Sequence, residues 1–335
     1  MKSKIVQIVQ YFILLVIGIF LCRLFFNTLN FEELNLKLKT GNLSWLFLVF
    51  LVSLGVYVLR VLRWQMLIKS INYETKFYNA FAALSISYLI SFVVPRLGEI
   101  TRCMSLKKHH KIPFIELIGT VIIERFVDIL SLIIVLLLTL LLQFNHIMAF
   151  VNVNVFIPFY DRVFMKIIEG NSRTLLLLFI IILLFVFIFY YFRKYIVEKS
   201  PKLIIHFIQG LKQGLISITK LKHKKLFVFY TFLIWVGYYL MTYFWFFVFK
   251  ETATLSWGAC LAIVSIGTIG RSVPIQGGGM GAYHFLVTNV VVLYGLTADW
   301  GKALATLIHG GQAAFTFMMG LVGLAIFFIG YWKNK

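Results

Sequence analysis

The sequence predicts an all-α polytopic membrane protein: about six full transmembrane helices plus two re-entrant broken-helix hairpins in an inverted-repeat arrangement. Three observations predict it. The 335 residues are 61% hydrophobic, with a mean hydropathy of +0.93, whereas roughly half of a soluble domain is apolar. Several stretches approach or exceed 18 nearly uncharged apolar residues, the length a helix needs to cross a bilayer. Two further apolar stretches are interrupted by proline, glycine and charge, at 91–102 ("SFVVPRLGEITR") and 271–284 ("RSVPIQGGGMGAYH"). A β-barrel would show alternating segments of about ten residues, and none is present.

The elements follow in chain order. The first span, 5–26, is too long for a signal-peptide core, and no small-residue cleavage site follows Arg23, so it is expected to be retained. Further full spans fall at roughly 44–68, 114–142, 174–192, 226–249 and 303–330. The stretches 77–101 and 255–296 carry the interruptions. The connector 143–173 is rich in aromatic residues and reads as interfacial padding or a lid. Between 193 and 225, Lys alternates with Leu, Ile and Phe, and Ile204, Ile205, Ile208, Leu211, Leu215 and Ile218 fall close to one face. That pattern describes a basic amphipathic helix on the cytoplasmic leaflet. Cys22, Cys103 and Cys260 are far apart without metal-ligand spacing and read as small buried hydrophobes.

The net charge of +20 would point to nucleic acid in a soluble protein. In a membrane protein it reflects the positive-inside rule and anionic lipid head groups, and no nucleic-acid partner is expected. One set of connectors holds nineteen Lys and Arg, nine of them between 193 and 225. The other set holds seven, nearly matched by Glu32, Glu33, Asp161, Glu169, Glu251 and Asp299. The basic set is cytoplasmic, which puts both termini inside and the chain in the inner (cytoplasmic) membrane. Both flanks of 77–101 then lie inside and both flanks of 255–296 outside. Each stretch is expected to dip in and return, the first bent at Pro95–Gly98 and the second at Pro274–Gly281. Hairpins from opposite sides, "VPRLGE" and "VPIQGG", read as an inverted repeat, an architecture of transporters. Ordinary spans are the alternative.

Six arginines fall outside the connectors: Arg23, Arg60, Arg63, Arg96, Arg125 and Arg271. Arg60 and Arg63 share a helix face one to two turns from the cytoplasmic end, within snorkelling reach of the interface. In "ERFVD", Glu124 lies about 11 residues into its helix, roughly 16 Å deep. Asp128 is one turn deeper on the same face, with Arg125 beside them. An ionised residue at that depth costs at least ~2.5 kcal/mol. These charges therefore pair, either as a lock between helices or along a wet cavity. Pro95 ends a half-helix because it has no N–H. Gly98 is expected to permit the tight turn, and Glu99 to face the positive end of the returning helix. Broken backbone at membrane depth needs protein or water around it, so the tip should face a cavity, with Arg96 and Arg102 ready for an anion. At the second break Gly277, Gly278 and Gly279, then Gly281, open a half-helix whose N–H groups form an anion site. Arg271 precedes it, Gln276 lies within it, and His284 follows. His284 and His309 read as packing residues.

The sequence contains no Gly-x-Ser-x-Gly, GxxxxGK[ST], HExxH or CxxC. It offers no catalytic nucleophile, and no metal or other cofactor is expected. The three motifs in order ("VVPRLGEITR", "ERFVD", "PIQGGGMGAYHF") resemble the family known as the lysylphosphatidylglycerol synthase transmembrane region, flippase-like membrane proteins. Pro95, Arg96, Gly98, Glu99 and Arg102 match its first motif, and Glu124, Arg125 and Asp128 its second. In the third, Pro274 and the glycines fit, Gln276 stands where a second proline is common, and His284 stands near the usual glutamate. The resemblance covers essentially the whole chain. Family members fused to a soluble aminoacyl-transferring domain make and translocate aminoacylated phosphatidylglycerol. That domain has no counterpart in the sequence, so the resemblance implies translocation, not the synthase reaction. The expected cargo is an anionic or aminoacylated phospholipid, or a polyprenyl-phosphate-linked lipid. Its head group is expected at Arg96, Glu99, Arg102, Glu124, Arg125, Asp128, Arg271, Gln276, Gly277, Gly278, Gly279 and His284, around breaks at Pro95, Gly98, Pro274 and Gly281. A membrane-embedded enzyme subunit, or a scaffold for a separately encoded glycosyltransferase or lipid synthase, is the alternative.

Overall fold

The computed structural model describes residues 31–110, 112–152 and 221–333, with positions 156, 157, 160, 180, 183 and 184. The expected spans 5–26 and 174–192, apart from three of those isolated positions, lie outside the described residues, as does the amphipathic connector up to residue 220. The chain divides into two compact units, Met1–Gln143 with Gly214–Lys335, and Phe144–Gln213. In the second unit one helix is described, α6 (Phe144–Val151).

The described helices of the first unit are α1 (Phe31–Thr40), α2 (Trp45–Ser70), α3 (Phe77–Val93), α4 (Leu97–His110) and α5 (Phe114–Leu142), then α7 (Lys224–Phe246), α8 (Trp257–Ser272), α9 (Ala282–Leu293) and α10 (Ala298–Lys333). Among the described residues there is no strand. Four helices are long and apolar enough to cross a membrane: α2, α5, α7, and α10 over Ala298–Ile329. On α5, Ile133, Ile134, Leu137, Leu138 and Leu141 are all exposed, a continuous apolar face that requires lipid rather than water. This is a membrane protein.

Local chemistry sets the helix boundaries. Pro113 precedes α5, where a missing N–H leaves no intrahelical bond unmade. The Ser256 side chain accepts a hydrogen bond from the Ala259 N–H at 3.2 Å and caps α8. The last span starts at Ala298, earlier than the expected 303, because Asp299 in its first turn suits the positive helix end. It also pairs with Lys302 at 3.5 Å. The 226–249 span ends at Phe246. There the Thr252 hydroxyl donates to the Phe246 carbonyl at 2.6 Å and turns the chain.

Both interrupted stretches are helix–break–helix. In the first, α3 ends at Val93 and α4 begins at Leu97, so Gly98 lies within the returning helix rather than at the bend. The left-handed residue is Arg96, at φ 69°. Gly98 is required for a different reason: a Cβ there would run into the Ser87 carbonyl, so α4 folds directly back on α3. In the second, positive φ values at Gly277 (70°), Gly278 (68°), Gly279 (79°) and Gly281 (84°) turn the chain between α8 and α9.

The packing has a pattern. Each half of the described unit runs long helix, broken pair, long helix: α2, α3–α4, α5, then α7, α8–α9, α10. The long helices α2 and α7 lie against each other. The first helix of each broken pair packs on the long helix that closes the other half, α3 on α10 and α8 on α5. An apolar cluster joins α2 to α5 around the fully buried Trp64, Leu67, Ile68, Leu84, Leu106 and Leu117.

Candidate functional site

Arg60 and Arg63 are three residues apart on α2, and both turn inward. Snorkelling to the interface is excluded for them: Arg63 is fully buried and the Arg60 side chain is 12% exposed. Their partners are the two carboxylates of α5. Arg63 Nη2 lies 2.6 Å from Asp128 Oδ1 and 3.6 Å from Glu124 Oε1. Arg60 Nη2 lies 2.8 Å from Asp128 Oδ2 and 3.3 Å from Glu124 Oε1. Arg60 Nη1 also donates to the Tyr238 hydroxyl at 2.6 Å, and Arg63 Nη1 to the Thr231 hydroxyl at 3.4 Å, which brings α7 into the network.

The returning helix α4 supplies the rest. Arg102 is 1% exposed, its Nη2 is 2.8 Å from Glu124 Oε2, and its guanidinium lies over the Trp64 ring at 4.1 Å. Trp64 is held in turn by donating to the Thr120 hydroxyl at 3.0 Å. Arg102, expected as part of a cytoplasmic flank, is thus an interior residue. Removing it from the connector count leaves eighteen basic residues against seven, so the charge asymmetry stands. Glu99, in the first turn of α4, meets Arg125 Nε at 3.1 Å. Arg125 also reaches Glu124 at 3.3 Å and Asp128 at 3.6 Å. Glu124 is 0% exposed and is touched by four arginines. Charges buried this far persist only when paired, because the desolvation penalty is several kcal/mol per ion.

The network forms one wall of a cavity of about 720 Å³. Pro95, Arg96, Glu99, Arg102, Arg125 and Asp128 line it from the first half, and Arg271, Pro274 and Gly278 from the second. Both breaks therefore open on one space. They also meet: a Cβ on Gly278 would sit 3.7 Å from the Phe92 ring. Arg271 is laid over the Tyr283 ring at 4.2 Å. Neither Arg96 nor Arg271 has a carboxylate partner among the described residues. Glu124 and Asp128 pair with Arg60, Arg63, Arg102 and Arg125, but not with Arg96 or Arg271.

The remaining expected residues are placed elsewhere. Glu124 and Gly98 stand behind the wall. Gln276, Gly277, Gly279, Gly281 and His284 do not line the cavity. Two of the N–H groups expected to face an anion have internal acceptors: Gly279 N–H donates to the Ile275 carbonyl at 3.2 Å, and Gly281 N–H to His284 Nδ1 at 3.3 Å. His284 packs its ring on His309, centroids 4.7 Å apart, and His309 Nε2 is 2.7 Å from the Gly277 carbonyl. Sequence reasoning left Arg60 and Arg63 out of the site. The signal was there, since their three-residue spacing is of the same kind as the four-residue spacing of Glu124 and Asp128 on α5. Tyr238 carried none, being one aromatic among many.

A family model described as "Lysylphosphatidylglycerol synthase TM region" matches residues 7–323. No curated protein and no solved structure matches the chain.

Proposed function

The chain belongs to the lysylphosphatidylglycerol synthase TM-region family, a membrane-embedded family, and on that premise we propose that it is a lipid translocase rather than an enzyme. The observation that carries the reading is that two helix breaks, one from each half, open on one arginine-lined cavity. Its volume falls within the range that holds a small ligand or head group. Guanidinium groups suit phosphate through paired, parallel hydrogen bonds. Ile129, Leu132, Ile263 and Val264 give the same cavity an apolar side, on which a lipid chain would lie. Arg96, Arg102, Arg125 and Arg271 hold the head group, while Glu99, Glu124 and Asp128 keep the arginines in place.

In this reading each broken pair is a re-entrant hairpin. The helices α3, α4, α8 and α9 have 17, 14, 16 and 12 residues, all shorter than the roughly 20 needed to span. The charge distribution sends them in from opposite faces of the cytoplasmic membrane, with both termini cytoplasmic. The crosswise packing of α3 on α10 and α8 on α5 supports an inverted repeat.

The test is head-group exposure in proteoliposomes holding the full chain. Lipid labelled in the inner leaflet becomes accessible outside at a rate proportional to protein. Thr268→Trp, which fills the cavity from α8, abolishes the protein-dependent rate while the variant keeps its elution profile in detergent. A rate unchanged by Thr268→Trp would overturn the reading.

A further inference from the structure

We propose that the lipid taken into this cavity carries at least two negative charges on phosphate and no ammonium group: a lipid diphosphate or a lipid with two phosphodiesters, and not an aminoacylated phospholipid. The proposal rests on the translocase reading and names the substrate class of that site.

The charge balance carries it. Arg60, Arg96, Arg102, Arg125 and Arg271 line the cavity and Arg63 stands directly behind it. Against these six stand three carboxylates, Glu99, Glu124 and Asp128, leaving three positive charges uncompensated among the described residues. All three carboxylates are already engaged. Glu124 is shared among four arginines, Asp128 among Arg60, Arg63 and Arg125, and Glu99 is held by Arg125. An ammonium group entering here meets no carboxylate that is not already paired, and it approaches Arg96 and Arg271. A head group with one negative charge leaves the balance at plus two, and like charges gathered around one cavity repel. Two phosphate charges correct most of the excess.

The placement of the free cations fits this. Arg96 belongs to the first break and Arg271 to the second, so the two guanidinium groups without carboxylate partners reach the cavity from separate halves. Arg271 is held over the Tyr283 ring rather than by an acid, so no carboxylate among the described residues neutralises its charge. Among the described residues, the second half supplies no carboxylate to the lining. A doubly phosphorylated head group offers one phosphate to the unpaired arginine of each half.

The test uses the full chain in detergent with four lipid probes: a polyprenyl diphosphate, cardiolipin, phosphatidylglycerol and lysylphosphatidylglycerol. Affinity is read by native mass spectrometry. The expected result is at least tenfold tighter binding of the polyprenyl diphosphate or cardiolipin than of phosphatidylglycerol, and weaker binding still of lysylphosphatidylglycerol. Arg96→Asn, which tolerates the left-handed backbone, and Arg271→Gln each weaken the two-charge lipid about tenfold, as loss of a charged hydrogen bond does. Should either variant fail to fold, inorganic diphosphate displacing the two-charge lipid from the unaltered protein, where glycerol phosphate at the same concentration does not, supports the same conclusion. Binding of the polyprenyl diphosphate alone identifies a compact diphosphate, and of cardiolipin alone two separated phosphodiesters; both support the class. Lysylphosphatidylglycerol binding as tightly as phosphatidylglycerol, or phosphatidylglycerol matching both two-charge lipids, overturns it. Selective binding without transit in proteoliposomes sinks the translocase reading and leaves this inference standing. Equal transit of phosphatidylglycerol and lysylphosphatidylglycerol does the reverse.

Discussion

Glu124 decides how the interior of this protein holds together. Its two carboxylate oxygens neutralise parts of four guanidinium groups from three helices. Removing one member of a buried ionic group leaves the others unpaired. Glu124→Gln is therefore expected to cost about 3–5 kcal/mol, read as a large fall in melting temperature in detergent. A milder loss, under about 1 kcal/mol, would mean that the arginines find other partners. The first break offers a contrast between neighbours. Gly98→Ala is expected to cost about 1–3 kcal/mol, because its methyl group meets the Ser87 carbonyl. Arg96→Gly, which suits the left-handed φ of 69°, stays within about 1 kcal/mol of the parent in the same assay. The sequence showed that both residues belonged to a break, but not their roles. Proline and glycine announce a turn, yet which residue takes the positive φ depends on how closely the two helices pack.

Among the elements, the full spans were the most legible. The expected span 114–142 coincides with α5, because Pro113 precedes the helix and no further proline breaks it despite the charges of 124–128. Both breaks were equally plain. The start of α10 was missed because Asp299 and Lys302 read as a connector, whereas a first turn carrying an acid followed by a base is a favourable helix start. The contact between α2 and α7 could not be read from either helix, since small residues occur on many faces. An ideal Cβ on Gly237 would lie 3.8 Å from the Val56 Cβ, the mean separation found in disulfides. Val56→Cys with Gly237→Cys, with Cys22, Cys103 and Cys260 replaced, is expected to crosslink on mild oxidation. Cleavage in the 144–213 segment then leaves the fragments joined on a non-reducing gel. Separate fragments would refute that packing.

For the molecule as a whole, the charge distribution is expected to orient the chain in its bilayer. A cysteine at position 74, in an exposed turn flanked by Lys69 and Lys76, is expected to react with an impermeant maleimide only after the cells are opened. One at position 251, also exposed, is expected to react in intact cells. The opposite pattern would invert the assignment of both faces. Composition and lysine counts suffice for that expectation, because they are properties of long stretches. The cavity was foreseen from the cost of buried charge, but its arginine lining from α2 was not, since helix rotation is fixed only by neighbours. One asymmetry has a mechanical meaning. The first turn is braced by charged contacts among four helices. The second is strung on glycines, with His309 holding the Gly277 carbonyl. One jaw of the clamp is therefore stiff and the other compliant, so thermal agitation will be spent on the glycine jaw, and a gate between the two faces would swing from there.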